Sequence, residues 1–447
     1  MKRYNLMTAV LALMLAGALA FTGCPKTTGD DDPDTSTPTI PVPTVPGPEP
    51  LDPEPLDIGP DITYTAAADG DVVTASTKID FVFAAAVTGL TADDITIAGA
   101  TKGALTGSGT NWSLALTNPT LGAATVSITK DGIASGTKPI TLHGGLTFTA
   151  ITPMLLSGNT PFGVAYGNET VVVVGQSGNI GRSTDNGANW TAVSQTVLTS
   201  AIRGVTYGGT TFVAVGDGKI GTSSNNGANW AAATVSPAFG TTSNDSIYGV
   251  TYGNGKFVAV GKSGKIGISS DNGANWAEAT TTLSGFSTSS IMGVAYGGTT
   301  FVAVGQSGKI AYSVDNGANW TAATTNGGFG DSDYIYGVTY GNGKFVAVGQ
   351  NGKIAYSGDN GANWTAATTT SSGFGTNYIN GVTYGGGKFV AVGQNGKMAA
   401  SADGATWSAV TTTGFTSSYQ INGVTYGNGK FVAVGDGARP AFSNPQE

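Results

Sequence analysis

The chain has 447 residues, 70 of them Gly, with 11% charged residues and a formal net charge of −8. One Cys and one His leave no material for a disulfide framework, a His- or Cys-based metal cluster or a His-assisted nucleophile. From residue 146 onward thirteen Lys and Arg balance thirteen Asp and Glu, so no field is available to steer nucleic acid, and no nucleic-acid partner is expected.

Lys2 and Arg3 precede an apolar run from Leu6 to Ala20 that is too short and wrongly flanked for a permanent membrane span. Residues 1–23 therefore read as an export signal. Its end, Phe21-Thr22-Gly23-Cys24, resembles a bacterial lipobox, with Phe21 where Leu is usual. The resemblance implies cleavage before Cys24 and acylation of its thiol, which would hold an exported protein to a bacterial membrane, at the cell surface or on the periplasmic side. The alternative is an ordinary signal with an incidental Cys. Residues 24–60 are rich in Pro, Thr and Asp, with one Lys against eight acids, and are expected to form an extended, self-repelling, disordered tether.

Residues 61–145 alternate as half-buried strands do: Ile79-Asp80-Phe81-Val82-Phe83, Ile95-Thr96-Ile97, Trp112 to Leu116, Val126-Ser127-Ile128 and Ile140-Thr141-Leu142. A small β-sandwich is the expected fold. The run AAAVTGLTADDITI, continuing to GALTGSGTNWSLAL, resembles the Ig-like modules of bacterial surface proteins, which implies a spacer. Asp93 and Asp94 read as a solvated pair in a turn rather than a calcium site.

From residue 146 one unit recurs. Its GVTYG or GVAYG core places Tyr166, Tyr207, Tyr252, Tyr296, Tyr340, Tyr384 and Tyr426 at steps of 41 to 45 residues. A period in the low forties, made of short strands and Gly-rich turns, predicts a β-propeller with one blade per repeat. In the clearest copy GVTYG is the inner strand, Phe345 to Val348 the second, Lys353 to Ser357 the third and Trp364 to Thr368 the outer strand. The last repeat stops after its third strand, and Leu146 to Thr152 supplies the missing one, with Phe148 in the place of the outer-strand Trp. The expected fold is therefore all-β: a seven-bladed propeller over 146–447, preceded by the sandwich.

The third turn, Ser357-Gly358-Asp359-Asn360-Gly361-Ala362-Asn363-Trp364, matches the Asp-box pattern SxDxGxxW. Asp185, Asp271, Asp315 and Asp359 hold its acidic position; Asn225 replaces the Asp in one copy, and the copy with Asp403 is one residue shorter. The side chain accepts backbone hydrogen bonds inside a sharp turn, and the Trp packs between blades, so the box is a fold device.

Asp-box propellers resemble several families. Sialidases imply an Arg cluster, a Tyr–Glu pair and an early Arg-Ile-Pro run; here only Arg182, Arg203 and Arg439 lie in the repeats and that run is missing. Xyloglucan-type glycosidases imply two facing carboxylates, and most acids of these repeats lie in boxes. The chain resembles the single propellers of photosystem assembly and stability factors and bacterial lipoproteins with such repeats. That resemblance implies a non-enzymatic protein; no cofactor is expected, and with His143 the only His no metal is expected either.

With Asp-box and GNGK turns on one face, the repeats differ on the other. The position before the inner-strand Gly is Phe162, Arg203, Tyr248, Met292, Tyr336, Asn380 and Asn422 in turn. The second turn carries Gln176, Asp217, Lys262, Gln306, Gln350, Gln394 and Asp436, and inter-blade loops add Phe239, Phe286, Phe329, Phe374 and Phe415, with Tyr334, Tyr378 and Tyr419 nearby. Aromatic and amide groups at a channel mouth suit an uncharged polar glycan or a peptide segment; packing between blades is the other reading of the Phe set. The expected function is a monomeric, lipid-anchored envelope protein that binds a glycan or protein partner. A glycan-active hydrolase using Asp217 and Asp436, and a structural envelope scaffold, are the alternatives.

Overall fold

The computed structural model describes residues 61–71, 73–120, 122–150, 158–235, 237–242, 244–413 and 415–444. The export signal, Cys24 and the tether lie outside the described residues, as do Ile151 and Thr152. No helix among the described residues is long and apolar enough to cross a membrane.

Residues 61–145 form two three-stranded antiparallel sheets. One is ordered β1 (Tyr64–Ala68), β2 (Lys78–Val87), β4 (Thr101–Thr117); the other is β3 (Ile95–Ala98), β5 (Gly122–Ile128), β6 (Thr137–Leu142). Period-2 alternation sends Ile79, Phe81, Phe83, Leu114, Val126, Ile128 and Leu142 into one shared core. Two features go beyond the alternating runs. β1, YTAAA, is too poor in large apolar residues to stand out, yet it pairs fully with β2. β4 folds back on itself: Gly103 lies against Ala115, and the Thr106 hydroxyl donates to the Ser113 carbonyl. Asp94 accepts from the Thr91 N–H at 2.7 Å and sits 3.7 Å from Lys130, so this acid closes a turn.

The repeats form seven antiparallel sheets, here I to VII, whose inner strands are Pro161–Gly167, Ile202–Gly208, Ile247–Gly253, Ile291–Gly297, Ile335–Gly341, Ile379–Gly385 and Ile421–Gly427. Six of the sheets have four strands each, and sheet IV gains a fifth, Thr280–Leu283, which runs parallel to its outer strand Asn319–Ala322. The gain is local: Thr234 with Asn275 and Thr368 with Thr406 make the same parallel bridge as isolated pairs. In sheet VII, β7 (Phe148–Ala150) pairs antiparallel with Arg439–Ser443, so the first and last segments of the repeat region share one sheet. Phe148 is buried there, 6.5 Å from the Phe431 ring, as Trp407 lies 6.4 Å from Phe389.

Neighbouring sheets meet through a repeated wedge. The Tyr of each GVTYG core lies flat on the Gly that ends the inner strand of the preceding sheet: a methyl on Gly167 would come within 2.0 Å of Tyr207 Cγ. The same holds for Gly341 with Tyr384, and for Gly427 of sheet VII with Tyr166 of sheet I. Behind each wedge the second strands are fully buried, as in Phe345-Val346-Ala347-Val348. The inter-blade Phe239, Phe286, Phe329, Phe374 and Phe415 are all buried in the cores between sheets, which settles them as packing residues.

Gly341→Ala should therefore destabilise the fold by about 1–3 kcal/mol or more, because neither backbone nor ring has room to yield. Gly358→Ala, where nothing lies within 4 Å, is the control and should be near neutral in urea unfolding.

Candidate functional site

Each inner strand carries one irregularity. The register with the second strand slips between Ile202 and Gly204, Ile247 and Gly249, Ile291 and Gly293, and at the equivalent place in every sheet. The skipped residue is in turn Phe162, Arg203, Tyr248, Met292, Tyr336, Asn380 and Asn422. A bulged residue is left out of the ladder and its side chain is re-aimed. The positions where the repeats differ most are thus those the backbone turns out of the sheet.

The bulges lie side by side in this order. A methyl on Gly204 would stand 3.2 Å from the Tyr248 carbonyl oxygen, one on Gly249 3.1 Å from that of Met292, and one on Gly423 3.1 Å from that of Phe162. Below them seven Gly–Val pairs, from Gly163-Val164 to Gly423-Val424, line a narrow cavity of about 220 Å³. All seven bulge side chains are half-buried.

The polar members divide by what they already hold. Asn380 donates to the Ile421 carbonyl and Asn422 to the Pro161 carbonyl, each at 3.0 Å, tying one inner strand to the next. In the second turn, Gln306, Gln350 and Gln394 accept from the backbone N–H of Ser290, Tyr334 and Tyr378, at 2.9 to 3.1 Å. Asp436 makes the same cap to Gln420, at 3.2 Å. Asp217 instead accepts from Arg203 Nε at 2.9 Å and from the Ser246 hydroxyl at 3.0 Å, while the Arg203 guanidinium lies 5.4 Å from the Tyr248 ring centroid. Gln176 and Lys262 are exposed. Both nominated acids are therefore engaged in holding loops or an Arg, and Asp217 and Asp436 each answer to a different sheet.

Sheets III, V and VI concentrate the aromatic surface. Tyr334 and Tyr336 stack at 6.1 Å with a 29° interplanar angle, and Tyr378 stands 6.0 Å from Tyr336. Gln350 Nε2 donates to the Tyr336 hydroxyl at 3.1 Å; burial pushes the pKa of that phenol up, with the Gln350 bond working against it. Asp333, which the sequence did not single out, pins the loop leading to Tyr334. It is buried, pairs with Lys353 at 2.7 Å, and accepts from Asn351 and from the Gly330 N–H. A loop Asp three residues before a bulge carries no signal that separates it from a solvated one.

The SxDxGxxW turns lie at the other end of the strands. Asp185 accepts from the Ser183 hydroxyl, the Asn189 N–H and the Asn189 side chain at 2.8 to 2.9 Å. Asp271, Asp315 and Asp359 repeat this, and each Trp donates its indole N–H to the box Gly carbonyl, as Trp364 does to Gly361 at 2.9 Å. Asn225 keeps the first two bonds through its amide oxygen, and Asp403 accepts from Ala405 and Thr406 in the shorter turn. Gly361 takes φ of +87° with its Cα against Val302 of the preceding sheet, a position closed to any side chain. The Asn168 and Asn254 turns reach the next box at Asn226 and Asn316, which puts both turn types on one face, as expected. Among the described residues no three His, Cys, Asp or Glu gather as a metal site.

No family model and no curated protein matches this sequence. Solved structures do share its architecture. YCF48 bound to D1 peptide is 16% identical, with 66% of this chain and 94% of that one covered at a TM-score of 0.53. YCF48 from Cyanidioschyzon merolae is 16% identical over 66% and 98%, at 0.52. Virginiamycin B lyase from Staphylococcus aureus is 14% identical over 67% and 99%, at 0.54. All are β-propellers, and this all-β repeat array fits a β-propeller. One has a bound peptide and another is a lyase, so the shared fold does not decide between binding and catalysis.

The box carboxylates make acid stability a direct readout. Hydrogen bonds from Asn189 and Asn275 hold Asp185 and Asp271 below the ordinary carboxyl value; at Asp315, Asp359 and Asp403 burial acts to raise the pKa but the turn's hydrogen bonds outweigh it. A pKa lowered on folding gives stability that is complete above about pH 4 and is lost as pH falls through the folded value. Asp359→Asn, which copies Asn225, should keep the fold and lose less stability than the parent between pH 5 and pH 3, measured by urea unfolding at each pH.

Proposed function

We propose that the seven sheets are the blades of a seven-bladed propeller with Asp-box turns spanning 146–447, that 61–145 is an Ig-like spacer, and that the bulge side is a non-catalytic binding surface for a glycan or protein partner. In this reading residues 1–23 are an export signal, Cys24 carries the lipid that holds a monomeric protein to a bacterial membrane, and 24–60 is the tether. The sequence pattern of the first 60 residues supports the anchor.

The observation that carries the binding surface is the register slip. Seven repeats keep the same Tyr, the same Gly and nearly the same second strand, and vary most along the inner strand at the one residue that the sheet does not use. A residue that only packed would be expected to repeat with the rest. Phe162, Tyr248, Met292 and Tyr336, with Arg203 among them, make five consecutive positions rich in aromatic and apolar groups, beside two, Asn380 and Asn422, that are spent on backbone bonds. The peptide complex of the similar YCF48 structure supports a protein as one class of partner. The caps made by Asp436 and the pairing of Asp217 weigh against using these two acids in hydrolysis.

Capture from envelope extract and on an array of glycans tests this. Tyr248→Ala with Tyr336→Ala should weaken any specific capture by tenfold or more while leaving the unfolding free energy from urea titration within about 1 kcal/mol of the parent. Undiminished capture by that double variant would place binding elsewhere.

A further inference from the structure

We infer that the working subsite of the bulge side is the tyrosine cluster of sheets V and VI, Tyr334, Tyr336 and Tyr378, and that it takes an uncharged pyranose of an oligosaccharide. The inference rests on the reading of the bulge side as a binding surface and narrows it to one sector and one ligand class.

Sheet IV shows that the cluster is not required by the fold. Ser290 occupies there the position of Tyr334, and its N–H donates to Gln306 at 2.9 Å just as the Tyr334 N–H donates to Gln350 at 3.1 Å. The carbonyl beside each makes the same bond back to the second turn, Gln306 N to Ser290 O at 3.0 Å and Gln350 N to Tyr334 O at 2.9 Å. Met292 likewise occupies the bulge of Tyr336. The backbone is thus served equally well by Ser and Met, and the three phenols are surplus to it.

The cluster is also held rigid. Tyr336 is fixed by Gln350 at its hydroxyl and lies between the other two rings, with centroids 6.0 and 6.1 Å away. The loop bearing Tyr334 is pinned by buried Asp333, whose charge is met by Lys353. Tyr side chains offer a large amphipathic surface at a low cost in conformational freedom, and fixing them beforehand reduces that cost further. The surface they offer has apolar ring faces, phenol groups and the Gln350 amide, and the one ion pair beside it is self-neutralised. Such a surface matches the C–H face and hydroxyl rim of a neutral sugar ring. Lys353 is neutralised by Asp333, and Lys397 of the next second turn donates to the Phe374 carbonyl, so among the described residues both cations beside these loops are already engaged.

The test is calorimetric titration of the protein with maltohexaose, cellohexaose and mannohexaose, with an oligogalacturonate as the charged counterpart and decaproline as a peptide with ring-stacking capacity. Tyr334→Ser and Tyr336→Met install the sheet IV residues; Tyr378→Ser joins them, and Tyr248→Met probes sheet III separately. Binding of at least one neutral hexasaccharide, weakened fivefold or more by each change in the cluster and less than twofold by Tyr248→Met, is the expected result. Neutral-sugar binding that depends on Tyr248 but not on the cluster would overturn the assignment to sheets V and VI and leave the bulge side standing. Binding of decaproline or the galacturonate alone would overturn the ligand class. No binding of any probe by a protein with a parental unfolding curve would overturn the subsite, whereas envelope capture sensitive to Tyr248 and Tyr336 would still uphold the wider reading.

Discussion

The contact on which this molecule depends is a tyrosine ring laid on a glycine. At the end of every inner strand the next sheet's Tyr occupies the volume a Cβ would need, with its ring atoms about 2 Å from that point, and the last sheet treats the first in the same way. Each Tyr from sheet II onward also stands 4.6 to 4.8 Å from the Phe that opens its own second strand. Glycine is therefore kept for close approach here rather than for flexibility, and the aromatic pair behind it sets the spacing of the sheets. The Trp of the next turn closes the same core from outside, as Trp320 and Trp364 do.

Because that frame uses the same residues in every sheet, what differs between sheets is left free to specialise. The bulge is the hinge of this division of labour. It removes one residue per sheet from the ladder, and the removed residues are Phe, Arg, Tyr, Met, Tyr, Asn and Asn. The opposite face is built from Asp, Asn, Ser and Gly that are consumed by their own turns. A surface whose polar atoms are already satisfied has little to offer a ligand, so the two faces are not equivalent even though both are polar.

Much of this architecture could be read in the sequence because it repeats. The spacing of Tyr166 to Tyr426, the SxDxGxxW turns and the Phe-Val-Ala-Val strands marked period, turn and core, and Leu146 to Thr152 could be matched to the strand missing from the last repeat, of which Phe148–Ala150 is strand among the described residues. What lay hidden was local geometry without a compositional mark. A register slip at Arg203 or Tyr336 leaves no trace in residue types, since Phe, Met and Asn occupy the same place. The role of Gln306, Gln350 and Gln394 as backbone caps could not be told from that of free amides, whereas packing between blades was one of the two readings open for the five loop Phe, and their burial bears it out. β1 escaped because Ala66, Ala67 and Ala68 carry no strand signature.

We propose that β7, by pairing the first segment of the repeats with the last, makes the seven sheets unfold together as a closed ring and not as an open array. Amide hydrogen exchange of sheet IV, in the protein and in Phe148→Ala, tests it most directly. Phe148 lies in the sheet VII core and touches nothing in sheet IV. In a closed ring, loss of its packing, worth about 3–5 kcal/mol, lowers the cost of global opening, and exchange of the Phe301 to Val304 amides accelerates. In an open array stability is a sum of nearest-neighbour contributions, and unchanged exchange in sheet IV, with acceleration confined to sheet VII, would contradict the account.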